Sequence, residues 1–168
     1  MAVTHKLISS VTVGGGGAAT IGFTSIPATY TDLLVKLSGR IDQTGIVRQV
    51  DISFNGSTSN FTGMYLQGNG ATVASGSLGQ YVGNATGTSA TASTFGNTSI
   101  YIPNYASSNN KSFSVDFTTE NNATTADLGF IAGLWSNSAA ITSITLTPNS
   151  VGNFVQYSTA HLYGISNA

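Results

Sequence analysis

Apolar and polar residues alternate with a period of two along most of this chain, and no segment sustains a 3.6-residue apolar period. Between Thr31 and Gly39, Leu33, Val35 and Leu37 share one face while Leu34, Lys36 and Ser38 share the other. Successive side chains of a strand point to opposite sides, so one of these faces is predicted core. Val47 to Phe54 repeats the pattern, with Val50, Ile52 and Phe54 inward and Asp51 and Ser53 outward, and it ends in the turn signal Asn55-Gly56. Lys111 to Thr119 sets Phe113, Val115 and Phe117 against Ser114 and Asp116. Leu128 to Trp135 offers Leu128, Phe130, Ala132 and Leu134 as its apolar face.

Further strands are predicted over Thr4 to Val13, Ile21 to Thr24, Phe61 to Leu66, Ser99 to Tyr105, Ile141 to Thr147 and Phe154 to Ile165. Pro103 and Pro148 fall at strand ends, where a missing N–H does least harm. The stretch Gln67 to Thr94 is rich in Gly, Ala, Ser and Thr and reads as one weak strand around Tyr81-Val82 between long loops, with Gly68 and Gly70 as turn glycines. The expectation is an all-β chain: a single-domain antiparallel β-sandwich of jelly-roll type, with about nine or ten short strands. Residues 1–17 are predicted to form an N-terminal strand or arm jointed at Gly14 to Gly17, and residues 18–168 the sandwich domain.

Composition sharpens this picture mainly through charge. Of 168 residues only 7% are charged, against about 25% in an ordinary globular domain. Solubility therefore rests on Ser, Thr, Asn and Gly. The net charge is −1, and the five basic residues, Lys6, Lys36, Arg40, Arg48 and Lys111, are scattered. They form no run able to neutralise several phosphates, so nucleic acid is not an expected partner. Without cysteine there is no disulfide framework and no thiolate metal site. No apolar run reaches the ~20 residues a spanning helix needs, and Met1 to Gly17 lacks a signal-peptide h-region. The expectation is a protein without a membrane partner, assembled in the cytoplasm without export.

Acid–base chemistry has few candidates: His5, His161 and six carboxylates. No Gly-x-Ser-x-Gly elbow accompanies the many hydroxyls. The chain is read as a non-enzyme with no catalytic, cofactor-binding or metal residue assigned and no cofactor expected. Asp116, Glu120 and Asp127, with Asn121 and Asn122, bracket a loop that offers oxygen ligands to a hard cation, although its spacing fits no loop template and a solvated turn is the simpler reading. Tyr65, Tyr81, Tyr101, Tyr105 and Trp135 could present rings to a sugar, or fill the core or a subunit interface.

A domain so poor in charge suits burial against neighbours, because buried ions cost several kcal/mol each in desolvation. The segments "FTSIPATYTDLLVKLSGR" (Phe23 to Arg40), "SIYIPNYASSNNKSFSVDFTTENN" (Ser99 to Asn122) and "AGLWSNSAAITSITLTPNSVGNFVQYSTAHLYGI" (Ala132 to Ile165) cover a little under half of the chain. They resemble a group of small bacteriophage virion proteins, frequent in cyanophages, that includes proteins decorating or cementing the capsid. Met64 to Thr94 carries no such resemblance. The resemblance implies a jelly-roll-like homotrimer on the head exterior that stabilises contacts between copies of the major capsid protein. It supplies no catalytic residue. The alternative role is a tail-associated receptor-binding or glycan-adhesion β-sandwich module.

Overall fold

A computed structural model describes residues 4–122 and 125–166. Met1 to Val3 of the expected arm and Ala123 and Thr124 of the expected cation loop lie outside them. The described residues contain no helix and fold into twelve strands: β1 (His5–Thr12), β2 (Ile21–Phe23), β3 (Asp32–Gly39), β4 (Val47–Phe54), β5 (Phe61–Gly68), β6 (Val73–Leu78), β7 (Tyr81–Thr86), β8 (Gly96–Pro103), β9 (Lys111–Thr119), β10 (Asp127–Trp135), β11 (Ile144–Pro148) and β12 (Thr159–Ile165). Eight form one sheet, in the order β1-β12-β3-β8-β9-β10-β5-β6, and four form another, in the order β2-β11-β4-β7. Every pairing between these strands is antiparallel.

The two sheets share one core. Leu33, Val35, Ile100, Ile102, Phe113, Val115 and Phe117 of the large sheet are buried with Ile21, Val50, Ile52, Phe54 and Leu146 of the small one. Phe54 is the hub of an aromatic cluster: its ring centroid lies 5.5 Å from Trp135, 5.5 Å from Phe61 and 5.9 Å from Phe113. The edge-to-face pairs among these rings add attraction beyond area burial.

Packing between β9 and β10 explains which face of β10 is core. Phe113 stands opposite Gly133 and Phe117 opposite Gly129. A Cβ on Gly133 would meet the Phe113 ring at 2.2 Å, and one on Gly129 would meet the Phe117 ring at 2.5 Å. The two rings thus lie over bare backbone, and the inward side of β10 needs glycine to receive them. The same device recurs on β12, where a Cβ on Gly164 would meet the Tyr30 ring at 2.3 Å.

That packing reverses one expectation. Leu128, Phe130, Ala132 and Leu134, expected to supply the core face of β10, point away from the small sheet, whereas Gly129, Ile131, Gly133 and Trp135 are buried. Asp51 also departs from its expected solvated position: it is only 8% exposed, because Gln80 and Asn149 donate to its Oδ2 at 3.2 and 2.7 Å.

The region Gln67 to Thr94 holds two full strands rather than one weak one. β5 runs into β6 through a turn in which Asn69 N donates to Thr72 O, and Asn69 Oδ1 accepts from Ala71 N and Thr72 N. Small residues make β6 and β7 weakly patterned, but ladder pairing to β5 and β4 and the complete burial of β7 override that deficit. Conversely, the last strand begins at Thr159, not Phe154: Tyr157 adopts φ 71° and Ser158 N donates to Val155 O, turning the chain before it enters the sheet.

Glycines 14–17 close a turn, with Gly17 N donating to Gly14 O at 3.0 Å, and β1 beyond them pairs with β12 of the same chain. Loops elsewhere are tied by cations. The Arg40 guanidinium donates to the carbonyls of Ala90, Thr91 and Thr94, and the fully buried Lys111 ammonium donates to those of Ser107 and Asn109. Burial without a carboxylate in contact pushes the Lys111 ammonium below the usual lysine range.

Two substitutions test this account of the core. Phe54→Ala should cost about 3–5 kcal/mol through the cavity left among three rings. Gly133→Ala should cost about 1–3 kcal/mol by displacing the Phe113 ring. Urea unfolding read by tryptophan fluorescence checks both, and a neutral Gly133→Ala would refute the ring-on-glycine packing.

Candidate functional site

The outer face of the large sheet carries the most distinctive surface of the molecule. Leu66 stands directly opposite Phe130, and Met64 opposite Ala132. Met64, Leu66, Leu128 and Phe130 are 58, 52, 55 and 62% exposed, and Val73 on β6, opposite Gly68, is 77% exposed. A phenylalanine spans about 150–250 Å², so Phe130 alone presents on the order of 100 Å². Five such side chains reach the few-hundred-Å² scale at which apolar patches mark interaction sites. Hydroxyls rim the patch, with Ser75 and Ser77 on β6 and Ser112, Ser114 and Thr118 on β9, and Asp116 is the one charge beside it on those strands. An apolar centre with a neutral polar rim is the anatomy of a protein–protein interface. The adjacent edge strand β6, of sequence VASGSL, carries neither the charge nor the proline that normally guards an open edge.

The expected cation ligands do not converge. Asp116 faces outward on β9, Asp127 faces inward on β10, and Glu120 Oε1 accepts from the N–H groups of Asn121 and Asn122 in its own turn. Among the described residues no group of three or more acidic, histidine or cysteine side chains is placed to hold a metal. His5 sits on exposed β1, and His161 is half-buried on β12 opposite Lys36 and Ser10.

The aromatic candidates divide. Tyr105 and Trp135 are buried in the core, so neither offers a ring to an outside ligand. The Tyr105 hydroxyl donates to Pro27 O, and burial pushes it above the usual phenol range. Tyr101 is exposed on the outer face, where its hydroxyl donates to Asp32 Oδ2 at 2.9 Å; that bond raises its pKa.

Tyr65 and Tyr81 meet in a second feature, a polar cleft at the margin between the two sheets. It has two lobes, of 430 and 390 Å³, which share Gln49, Gln67, Tyr81 and Asn149. Asp51 and Tyr65 line the first lobe; Asn84 and Asp127 line the second. Asn84 Nδ2 donates to Asp127 Oδ2 at 2.5 Å. Burial raises the Asp127 pKa above the usual carboxylate range despite that bond. Burial first, and then the Asp127 charge, pushes the Tyr81 phenol well above its ordinary value, which keeps the hydroxyl protonated. Sequence alone hid this cleft, because it assembles from β4, β5, β6, β7 and β10 and from amides that look like surface filler.

Compared with protein-family models, with curated proteins and with solved structures, the chain matches none.

Because the folded state holds the Asp127 proton more tightly than the unfolded chain, its contribution favours folding at low pH and is lost as pH rises through the folded-state pKa. Asp127→Asn removes this titration. The stability difference, wild type minus Asp127→Asn, should therefore fall from about pH 4 upward toward neutrality in urea-midpoint measurements. A flat difference would contradict the burial assigned to this carboxylate.

Proposed function

We propose that this chain is a structural protein of a bacteriophage particle, a decoration protein that associates with itself and binds the head exterior against the major capsid protein. The outward-facing apolar patch on β5 and β10 carries the reading, because it exposes large side chains between strands β6 and β9, whose outward residues beside it are hydroxyls and Asp116. The strings Phe23 to Arg40, Ser99 to Asn122 and Ala132 to Ile165 support the virion context through their resemblance to small phage proteins. Two of them contribute strands that flank or form the patch.

The strand order supports a jelly-roll sandwich as the underlying fold. Taking β2, β3, β4, β5, β6, β7, β8 and β11 as first to eighth, the small sheet runs first-eighth-third-sixth. The large sheet runs second-seventh-fourth-fifth, with the hairpin β9–β10 inserted after the seventh, and β12 and β1 added beyond the second. Two interlocked Greek keys give this order. The inserted hairpin brings β10, and with it half of the patch, beside β5.

The expected assembly is a homotrimer sealed by the patch, which keeps charge out of the contact and avoids its desolvation. Sedimentation equilibrium of the wild-type chain should report an oligomer, and the double change Leu66→Asp with Phe130→Asp should yield a monomer with unchanged circular dichroism. Cryo-electron microscopy of purified particles should place the protein on the head surface. A wild-type chain that stays monomeric at all concentrations and is absent from heads would end this reading.

A further inference from the structure

The polar cleft lies beyond the apolar patch, with Ser77 of β6 at the boundary of both, and its chemistry points elsewhere. Asp51, Asn84 and Asp127 are 8, 3 and 8% exposed. Each has one side-chain oxygen, Oδ1, that receives no hydrogen bond among the described residues, as does Gln80 Oε1. Unpaired buried acceptors are uncommon because each forgoes the solvation it had in water. These four share a polarity: all are oxygens wanting a donor. Meanwhile the amide N–H groups nearby are turned inward, Gln80 and Asn149 onto Asp51 Oδ2 and Asn84 onto Asp127 Oδ2, which fixes both carboxylates in place.

A fitting ligand brings many donors and is best neutral, because the lining carries the carboxylates of Asp51 and Asp127 together with the guanidinium of Arg48, whose Nε donates to Gln43 Oε1. A single cation fits poorly, since Asp51 and Asp127 line different lobes. Tyr65, half-buried, adds flat apolar surface beside the acceptors, whereas the Tyr81 ring is 9% exposed and packs edge-on against Phe117. Flat C–H faces edged by hydroxyl donors describe a pyranose ring, and lobes of 430 and 390 Å³ fall within the roughly 300–1,000 Å³ of small-molecule sites.

We propose that the cleft between the sheets binds a neutral oligosaccharide, one ring face against Tyr65 and its hydroxyls meeting Gln49, Gln67 and Asn149 at the mouth and, as these side chains yield, the sealed oxygens of Asp51, Asn84, Gln80 and Asp127 behind them. Gln49 and Gln67, shared by both lobes and more exposed than the carboxylates, select among hydroxyl patterns at the mouth. This site does not rest on the virion reading: a decoration protein without it, or a sugar-binding protein with no virion, are each conceivable outcomes of separate experiments.

The test uses the full-length chain, labelled with ¹⁵N and titrated with cellohexaose, laminarihexaose, maltohexaose and xylohexaose in turn, and separately with calcium chloride. At least one sugar should give saturable shifts confined to amides around Gln49, Gln67, Tyr81 and Asn149. Tyr65→Ala and Gln67→Ala should weaken that binding about tenfold or more while each variant keeps a cooperative thermal transition. Tyr101→Ala, on the opposite face of the large sheet, should bind as wild type. The proposal is overturned by no saturable shift with any of the four sugars, by shifts elsewhere on the molecule, by undiminished affinity in folded Gln67→Ala, or by a response at the cleft to calcium alone.

Discussion

The contact on which the architecture turns is that of two phenylalanine rings lying over two glycines of the neighbouring strand. Phe113 above Gly133 and Phe117 above Gly129 decide that β10 buries its smallest residues. The alternating pattern then forces Leu128 and Phe130 to the other side of the sheet. A sheet two residues out of phase would trade rings for bulk and leave the core either clashing or hollow. An exposed apolar surface is thus the geometric companion of a well-filled interior rather than an independent decoration.

Much of the fold was legible in the chain, because β3 and β9 display their inward residues as a clean period of two that coincides with what is buried, and β4 does so but for the buried Asp51. The face of β10 was not legible, since a run of Leu, Phe, Ala and Leu opposite Gly, Ile and Gly reads as a core stripe unless the rings from the next strand are already in view. β6 and β7 escaped for a related reason: VASGSL and YVGNAT owe their strand state to their neighbours' hydrogen bonds more than to their own side chains. Likewise, no spacing rule could assemble the cleft, whose parts come from Val47 to Ser150 and meet only when the sheets pack.

Scarce charge is put to local use. Arg40 and Lys111 each gather main-chain carbonyls of one loop, so two of five basic side chains hold backbone in shape. Asp51 and Asp127 are held by amides instead of by cations. Neutral donors around an anion fix its position at smaller desolvation cost than a buried ion pair incurs, and they leave the second oxygen of each carboxylate uncommitted.

The place of β12 in the large sheet has a consequence for biosynthesis. Thr159–Ile165 lies between β1 and β3, the one near the first residues and the other within the first quarter of the chain. While translation proceeds, both of those strands wait with bare edges, and no stretch emerging earlier from the ribosome fills the gap. Completion of the sheet therefore waits for a strand made more than a hundred residues after β3, and the bare edges of β1 and β3 are open to wrong partners throughout that interval of synthesis.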